Sequence, residues 1–388
     1  MVRQQSVIRV YNRAVCRGVV MIEIIYRWTR SVAFAVCVVA AAAWAVQLEI
    51  QPAPAQPSFA KLVGEFSEPS GEFDTDNLIS NEKSYLHVVP RLEQRGVTGG
   101  VYIGVGPDQN FSYIARIRPT VAFIVDIRRD NLLLHLLFKA LFAASRNRAE
   151  YLSLLTGRPV PDRVESWRDA GIEEIVAYLD GAGPAATLAL DRRLHDAIQR
   201  FGVPVSAKEW ATIDRFHAAF VDSGLSLRFR SFGRPPQSYY PDYRELLLET
   251  DRKGRQRSYL ASEDDFQFVR ALQGRDGVIP VVGDLGGTHA LAAIGHWMAE
   301  RKEPLSAFYV SNVENYLFRD GGFGRYMENL NRLPHTDRSV MIRSVFGRFA
   351  LPESAPGYYS SSAVQDFNEL LANFSAGKYR TYADLLRK

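Results

Sequence analysis

The residues with the spacing to do chemistry are glycines and carboxylates at the ends of short apolar runs. Val101, Tyr102 and Ile103 lead into Gly104-Val105-Gly106, and residues 108–118 read as a helix stopped by Pro119. A second apolar run, 121–125, ends in Asp126, 20 residues beyond Gly106. Strand, glycine turn, helix, strand and acid in that order form a nucleotide-type βαβ pattern. Glycines let ligand atoms approach backbone amides, the helix start offers unpaired N–H groups, and a carboxylate can accept from both ribose hydroxyls. The pattern runs Gly-x-Gly-x-x-Asn, so Asn110 stands where a third glycine would allow close helix–strand contact. The alternative is a structural turn, with Asp126 capping the helix that begins near Asp130.

The pattern recurs. Residues 279–282 end in Gly283-Asp284, residues 307–310 end in Ser311-Asn312-Val313-Glu314, and residues 340–342 end in Arg343-Ser344. Helices are predicted at 263–273, with Ser262 as its N-cap, and at 289–301. Alternating apolar runs and helices imply a parallel sheet, and ligands of such sheets sit at the carboxyl ends of the strands. The expected fold class is therefore α/β, a doubly wound, mostly parallel, Rossmann-like sheet. A hydrophobic N-terminal helix is expected to precede it.

Ahead of the first strand, residues 76–94 read as a helix containing Asn81-Glu82-Lys83. Residues 131–155 are apolar almost all round and read as a buried helix, in which His135 is a core or interface histidine rather than a ligand. Residues 157–233 read as a helical insertion of the kind that sets specificity, and 225–229 as a further strand. The tyrosines of the 235–243 loop either line a pocket or form a surface turn. His289 and His296 lie on one helical face without a third ligand, so packing is expected there and no metal site.

The chain carries a net charge of +4 over 388 residues. Residues 1–30 hold six arginines against Glu23, leaving the rest of the chain near neutrality, which argues against a nucleic-acid partner. Both cysteines, Cys16 and Cys37, lie in the N-terminal segment. The predicted organisation is a basic region at 1–30, a signal peptide or membrane anchor at 31–48, a linker at 49–75 and one domain at 76–388. The uncharged run 31–48 follows arginines and precedes acids, which orients the body across the membrane. Ala53-Pro54-Ala55 fits a cleavage site and Met21 is an alternative start, while a buried core helix is the alternative reading of the run. The body is thus expected outside the cytoplasm, exported or anchored, with a cytoplasmic location as the alternative.

The Tyr-Ile-Gly-Val-Gly-Pro-Asp-Gln-Asn-Phe loop and the strand-end residues resemble class I S-adenosylmethionine-dependent methyltransferases. More narrowly, they resemble an uncharacterised bacterial methyltransferase-like branch. The resemblance spans about residues 81–315 apart from the insertion. It implies S-adenosylmethionine as the cofactor, with Gly104 and Gly106 near its amino-acid part and Asp126 on its ribose. It also implies Asp284 near the adenine or methionine moiety and Asn312 near the transferred methyl. Tyr102 stands where that family carries an acid, and Ser311-Asn312-Val313-Glu314 replaces its Asn/Asp-Pro-Pro-aromatic motif. Methyl transfer needs mainly in-line positioning. Asn312 and Glu314 are the catalytic candidates, and Glu314 or Asp284 is the base if one is required, each otherwise a binding or capping residue. A Rossmann-like envelope domain without methyltransferase activity, or a nicotinamide-dependent oxidoreductase, are the competing expectations.

Overall fold

The computed structural model describes residues 58–235, 237–347 and 351–387. The basic N-terminal region, the apolar run 31–48 and the cleavage motif lie outside the described residues. Among the described residues no helix is long and apolar enough to cross a membrane.

Residues 58–388 form one compact mixed α/β unit. Six strands, β1 (Val101–Gly104), β2 (Val121–Asp126), β3 (Val278–Val282), β4 (Leu305–Ser311), β5 (His335–Phe346) and β6 (Ser360–Asp366), build a single sheet. Their order is β3-β2-β1-β4-β5-β6; every neighbouring pair is parallel except β5 and β6. The register sets Gly104 beside Ile124 and Tyr309, so the ends of β1, β2 and β4 come out at one edge. Strands β1 and β3 are buried throughout, as expected of parallel strands covered on both faces.

Right-handed crossovers send helices between β1 and β3 to one face and those between β3 and β5 to the other. The helix Glu263–Gly274 accordingly touches Gln109–Ile117 and Arg129–Ala144, whereas Ala290–Arg301 touches Phe59–Phe66 and Phe323–Asn331. Local signals fix the ends. Arg118 closes its helix in the left-handed region (φ 52°), and Ser262 caps the next crossover helix by accepting from the Asp265 amide at 3.2 Å.

Four sequence expectations change. The predicted linker 49–75 contains the helix Phe59–Phe66, whose Phe59, Leu62, Val63 and Phe66 are buried at helical spacing. Residues 76–94 are mostly not α-helical: a 3-10 turn, Lys83–Val88, precedes a short helix, Val89–Gln94. The apolar stretch 131–155 is two helices, Arg129–Ala144 and Arg148–Thr156, because the Asn147 side chain caps the second by accepting from the Glu150 amide. Residues 225–229 contribute only one isolated bridge, between Arg228 and Asp242, and not a strand. The stretch 157–233 is helical, with Ile172–Gly181, Leu188–Arg200 and Ala207–Ser223 as its α-helices.

Candidate functional site

The strand order reverses direction between β1 and β4, and a crevice outside their carboxyl ends is the expected ligand position. A cleft of about 300 Å³ occupies that place. Gly106, Asp126, Asp284 and Asn312 all line it, one from the end of each of β1 to β4. Ser311, beside Asn312, is held in the left-handed region (φ 54°), a conformation that costs energy in a non-glycine residue and clusters at functional sites.

The two glycines of the turn have different neighbours. Gly106 has φ +83°, and its missing side chain faces Asn77 and Gln109 at the cleft. Gly104 does not line the cleft; a Cβ there would lie 2.0 Å from Asn110 Oδ1. Asn110 therefore occupies the space that glycine opens. Its Oδ1 accepts from the Tyr102 hydroxyl at 2.8 Å, and its Nδ2 donates to the carbonyls of Val105 (2.9 Å), Gly106 (3.3 Å) and Pro107 (2.7 Å). The close helix–strand contact that a third glycine would provide is replaced by a polar clasp.

His135 supports the same loop from the helix Arg129–Ala144. Its Nε2 lies 2.9 Å from the Gly106 carbonyl, which can only accept, so the proton sits on Nε2. Burial pushes its pKa down to about 4, against the raising effects of the Gly106 bond and the Asp126 charge. His135 is thus a neutral core residue.

Asp126 lines the cleft under constraint. Arg128 embraces it with Nε to Oδ1 and Nη2 to Oδ2, each at 3.0 Å, and adds its own backbone N–H to Oδ1 at 3.0 Å. Arg128 Nη1 reaches the Thr75 and Asp76 carbonyls at 2.6 and 3.0 Å. It thereby fastens residues 67–77, which run as a strap across the ends of β3 and β2. The strap is pinned at Val282 and Asp284 by Ser67 and Glu68, and at Ile127 by Gly71. Its Phe73 packs edge-on to Tyr316 at 5.2 Å between ring centroids, and both line the cleft.

Asp284 uses one carboxylate oxygen to accept from the Gly286 amide at 2.9 Å and presents the rest of its side chain at the cleft. Glu314 is turned elsewhere. It is fully buried against Arg343 of β5, with Nε to Oε2 at 2.7 Å and Nη2 to Oε1 at 3.1 Å, and it does not line the cleft. The geometry makes Glu314 a partner of Arg343, not a base at the cleft. The tyrosines also separate: Tyr243 donates to buried Asp108 at 2.9 Å, whereas Tyr239 stacks on Tyr359 at the surface. His289 bonds the Glu65 carbonyl and His296 pairs with Glu300.

Glu82 is the principal residue that sequence reasoning passed over. It follows the strap, lines the cleft and is 1% exposed. Its carboxylate accepts hydroxyl protons from Tyr309 (2.6 Å), Ser311 and Ser344. Burial raises its pKa, while the bonds from Ser311, Ser344 and Tyr309 oppose the rise. Gln109, whose Nε2 donates to the same Tyr309 hydroxyl at 3.2 Å, stands beside it. The only signal was position, an acid just ahead of the first sheet strand.

The fold and this geometry define a mixed α/β protein with a ligand-sized cleft where a largely parallel sheet reverses its strand order. The chain belongs to the family described as a domain of unknown function (DUF7790), whose model matches residues 78–167 and 226–388. The stretch between the two matched segments, 168–225, holds the helices Ile172–Gly181, Leu188–Arg200 and Ala207–Ser223. No curated protein matches the chain.

Proposed function

We propose that this chain is a doubly wound, Rossmann-like protein that binds S-adenosylmethionine or a closely similar nucleoside in the cleft, with methyl transfer to an unidentified acceptor as its activity. The single observation that carries this reading is the meeting of Gly106, Asp126, Asp284 and Asn312, from four strand ends, around one cleft. Its volume, about 300 Å³, falls at the lower end of small-molecule sites. In this reading the Gly106 backbone approaches the amino-acid part of the ligand. Asp126, oriented by Arg128, accepts from the ribose, Asp284 lies near the adenine or methionine moiety, and Asn312 near the methyl. Phe73 and Tyr316 offer an apolar wall at the mouth.

Binding without methyl transfer is the second reading, favoured by the bidentate Arg128 grip on Asp126 and by Glu314 facing away from the cleft. The arginine-flanked apolar run 31–48 supports a body exported or anchored at the membrane, with residence in the cytoplasm as the alternative. Calorimetric titration of S-adenosylmethionine into the full chain tests the proposal. Saturable binding that Asp126→Ala weakens, in a variant whose circular dichroism is unchanged, is the expected outcome. No heat of binding from a folded chain would rule out the cofactor.

A further inference from the structure

Several buried or part-buried carboxylates have a cation beside them: Asp126 has Arg128, Glu314 has Arg343, Asp265 has Arg116 and Asp251 has Arg255, whereas buried Asp108 meets the hydroxyls of Tyr243 and Tyr259 away from the cleft. Glu82 has only hydroxyls, and among the described residues no lysine, arginine or histidine forms an ion pair with it. A carboxylate offers about four acceptor positions, so three hydroxyl donors leave one open. Oε1 receives only the Ser311 bond, and the residue lines the cleft. Gln109 supplies a second vacancy in the same wall. Its Oε1 is buried and has no hydrogen-bond partner, while its Nε2 is already committed to Tyr309. One hydroxyl, that of Tyr309, thus links two groups that each keep an acceptor position unfilled, one of about four on Glu82 and the whole of Gln109 Oε1. The remaining cleft charges point the same way, with Glu72, Asp284 and Asp320 against the guanidinium of Arg325 at the rim.

We infer that Glu82 and Gln109 form a subsite for a primary ammonium group of the ligand. An ammonium carries the positive charge that Glu82 lacks and three N–H donors, enough to serve both acceptors. A neutral hydroxyl carries one donor and no charge. The inference rests on the adenosyl-ligand reading above, and it names the chemical group that the inner wall of that site selects.

The test is calorimetry on the full chain with three probes: S-adenosylmethionine, S-adenosylhomocysteine and 5′-methylthioadenosine, of which only the first two carry an ammonium. Glu82→Gln is expected to weaken both ammonium-bearing probes by about 10- to 100-fold, the range for a hydrogen bond to a charged group, and to leave 5′-methylthioadenosine unchanged. Gln109→Leu is expected to act in the same direction by a smaller factor, and it decides the matter if Glu82→Gln does not fold. Equal affinities in variants and parent, or an equal loss for all three probes, would overturn the subsite while leaving the adenosyl reading intact. A folded parent chain that binds none of the three overturns both.

Discussion

Replacing Asn110 by alanine tests whether a polar clasp, and not a third glycine, shapes the turn after β1. Asn110 is fully buried, and so is the Tyr102 hydroxyl that donates to it. The substitution orphans that hydroxyl and the Val105 carbonyl. The Gly106 carbonyl keeps His135, and the Pro107 carbonyl keeps the backbone amide of residue 110. Two orphaned buried groups at about 1–3 kcal/mol each give a loss of roughly 2–6 kcal/mol. The helix preference of alanine over asparagine returns only about 0.5 kcal/mol. Gly104→Ala should cost about 1–3 kcal/mol by overpacking, since its Cβ would lie 2.0 Å from Asn110 Oδ1. The double variant removes the Asn110 collision and leaves only the Tyr102 ring and hydroxyl, each 2.8 Å from the added Cβ, so the two losses should fall short of additive by about 1 kcal/mol. Urea unfolding followed by tryptophan fluorescence measures all three variants. A loss below about 1 kcal/mol for Asn110→Ala, or strict additivity in the double variant, would refute the clasp.

Three further outcomes follow from the same geometry. Burial lifts the Asp108 carboxyl from its ordinary 3.8 to about 6, against the lowering bonds from Tyr243 and Tyr259. A raised acid stabilises the fold below its unfolded value and loses that contribution as pH rises through about 6. The parent should therefore gain about 2 kcal/mol relative to Asp108→Asn between pH 7 and pH 4; parallel urea curves at the two pH values would count against it. Glu314→Ala leaves the Arg343 guanidinium buried without its anion and should cost about 3–5 kcal/mol, whereas replacing both residues by apolar ones should recover most of the loss. A lowered urea midpoint for the single variant, restored in the double, is the measured sign. Arg128→Leu should speed amide exchange across the strap 67–77 while β1 and β4 stay protected; unchanged exchange at Gly71 would show that the strap is held by other bonds.

The sheet was readable because strands buried on both faces must be apolar without alternation, and β1, β2 and β3 advertise themselves that way. β6 did not, since Ser360, Ser361 and Ser362 are buried yet polar and bond across to Ser84, Ser344 and Ser354. The helix Phe59–Phe66 has an ordinary apolar stripe, but prolines on both sides, including Pro57 and Pro69, gave the stretch the composition of a linker. The break at Ser145–Asn147 was hidden because both flanking helices are buried on nearly every side, so neither carries an exposed polar face whose end would mark the boundary.

The site divides along a similar line. Strand ends locate a crevice, because topology alone brings them together, and Gly106, Asp126, Asp284 and Asn312 meet there as their positions imply. Which carboxylate is available for chemistry depends instead on where the cations fall. Asp126 and Glu314 look alike as acids that follow an apolar run, yet Arg128 holds the first at the cleft and Arg343, 29 positions along the chain, draws the second away from it. Glu82 resembles neither in sequence, but it is the one of the three that folding leaves without a positive neighbour. A buried charge that the protein does not neutralise must shift its protonation or be met by something else. The orphaned Gln109 oxygen beside it supplies the direction of that choice, because a proton taken up by Glu82 would leave Gln109 unsatisfied, whereas an ammonium satisfies both.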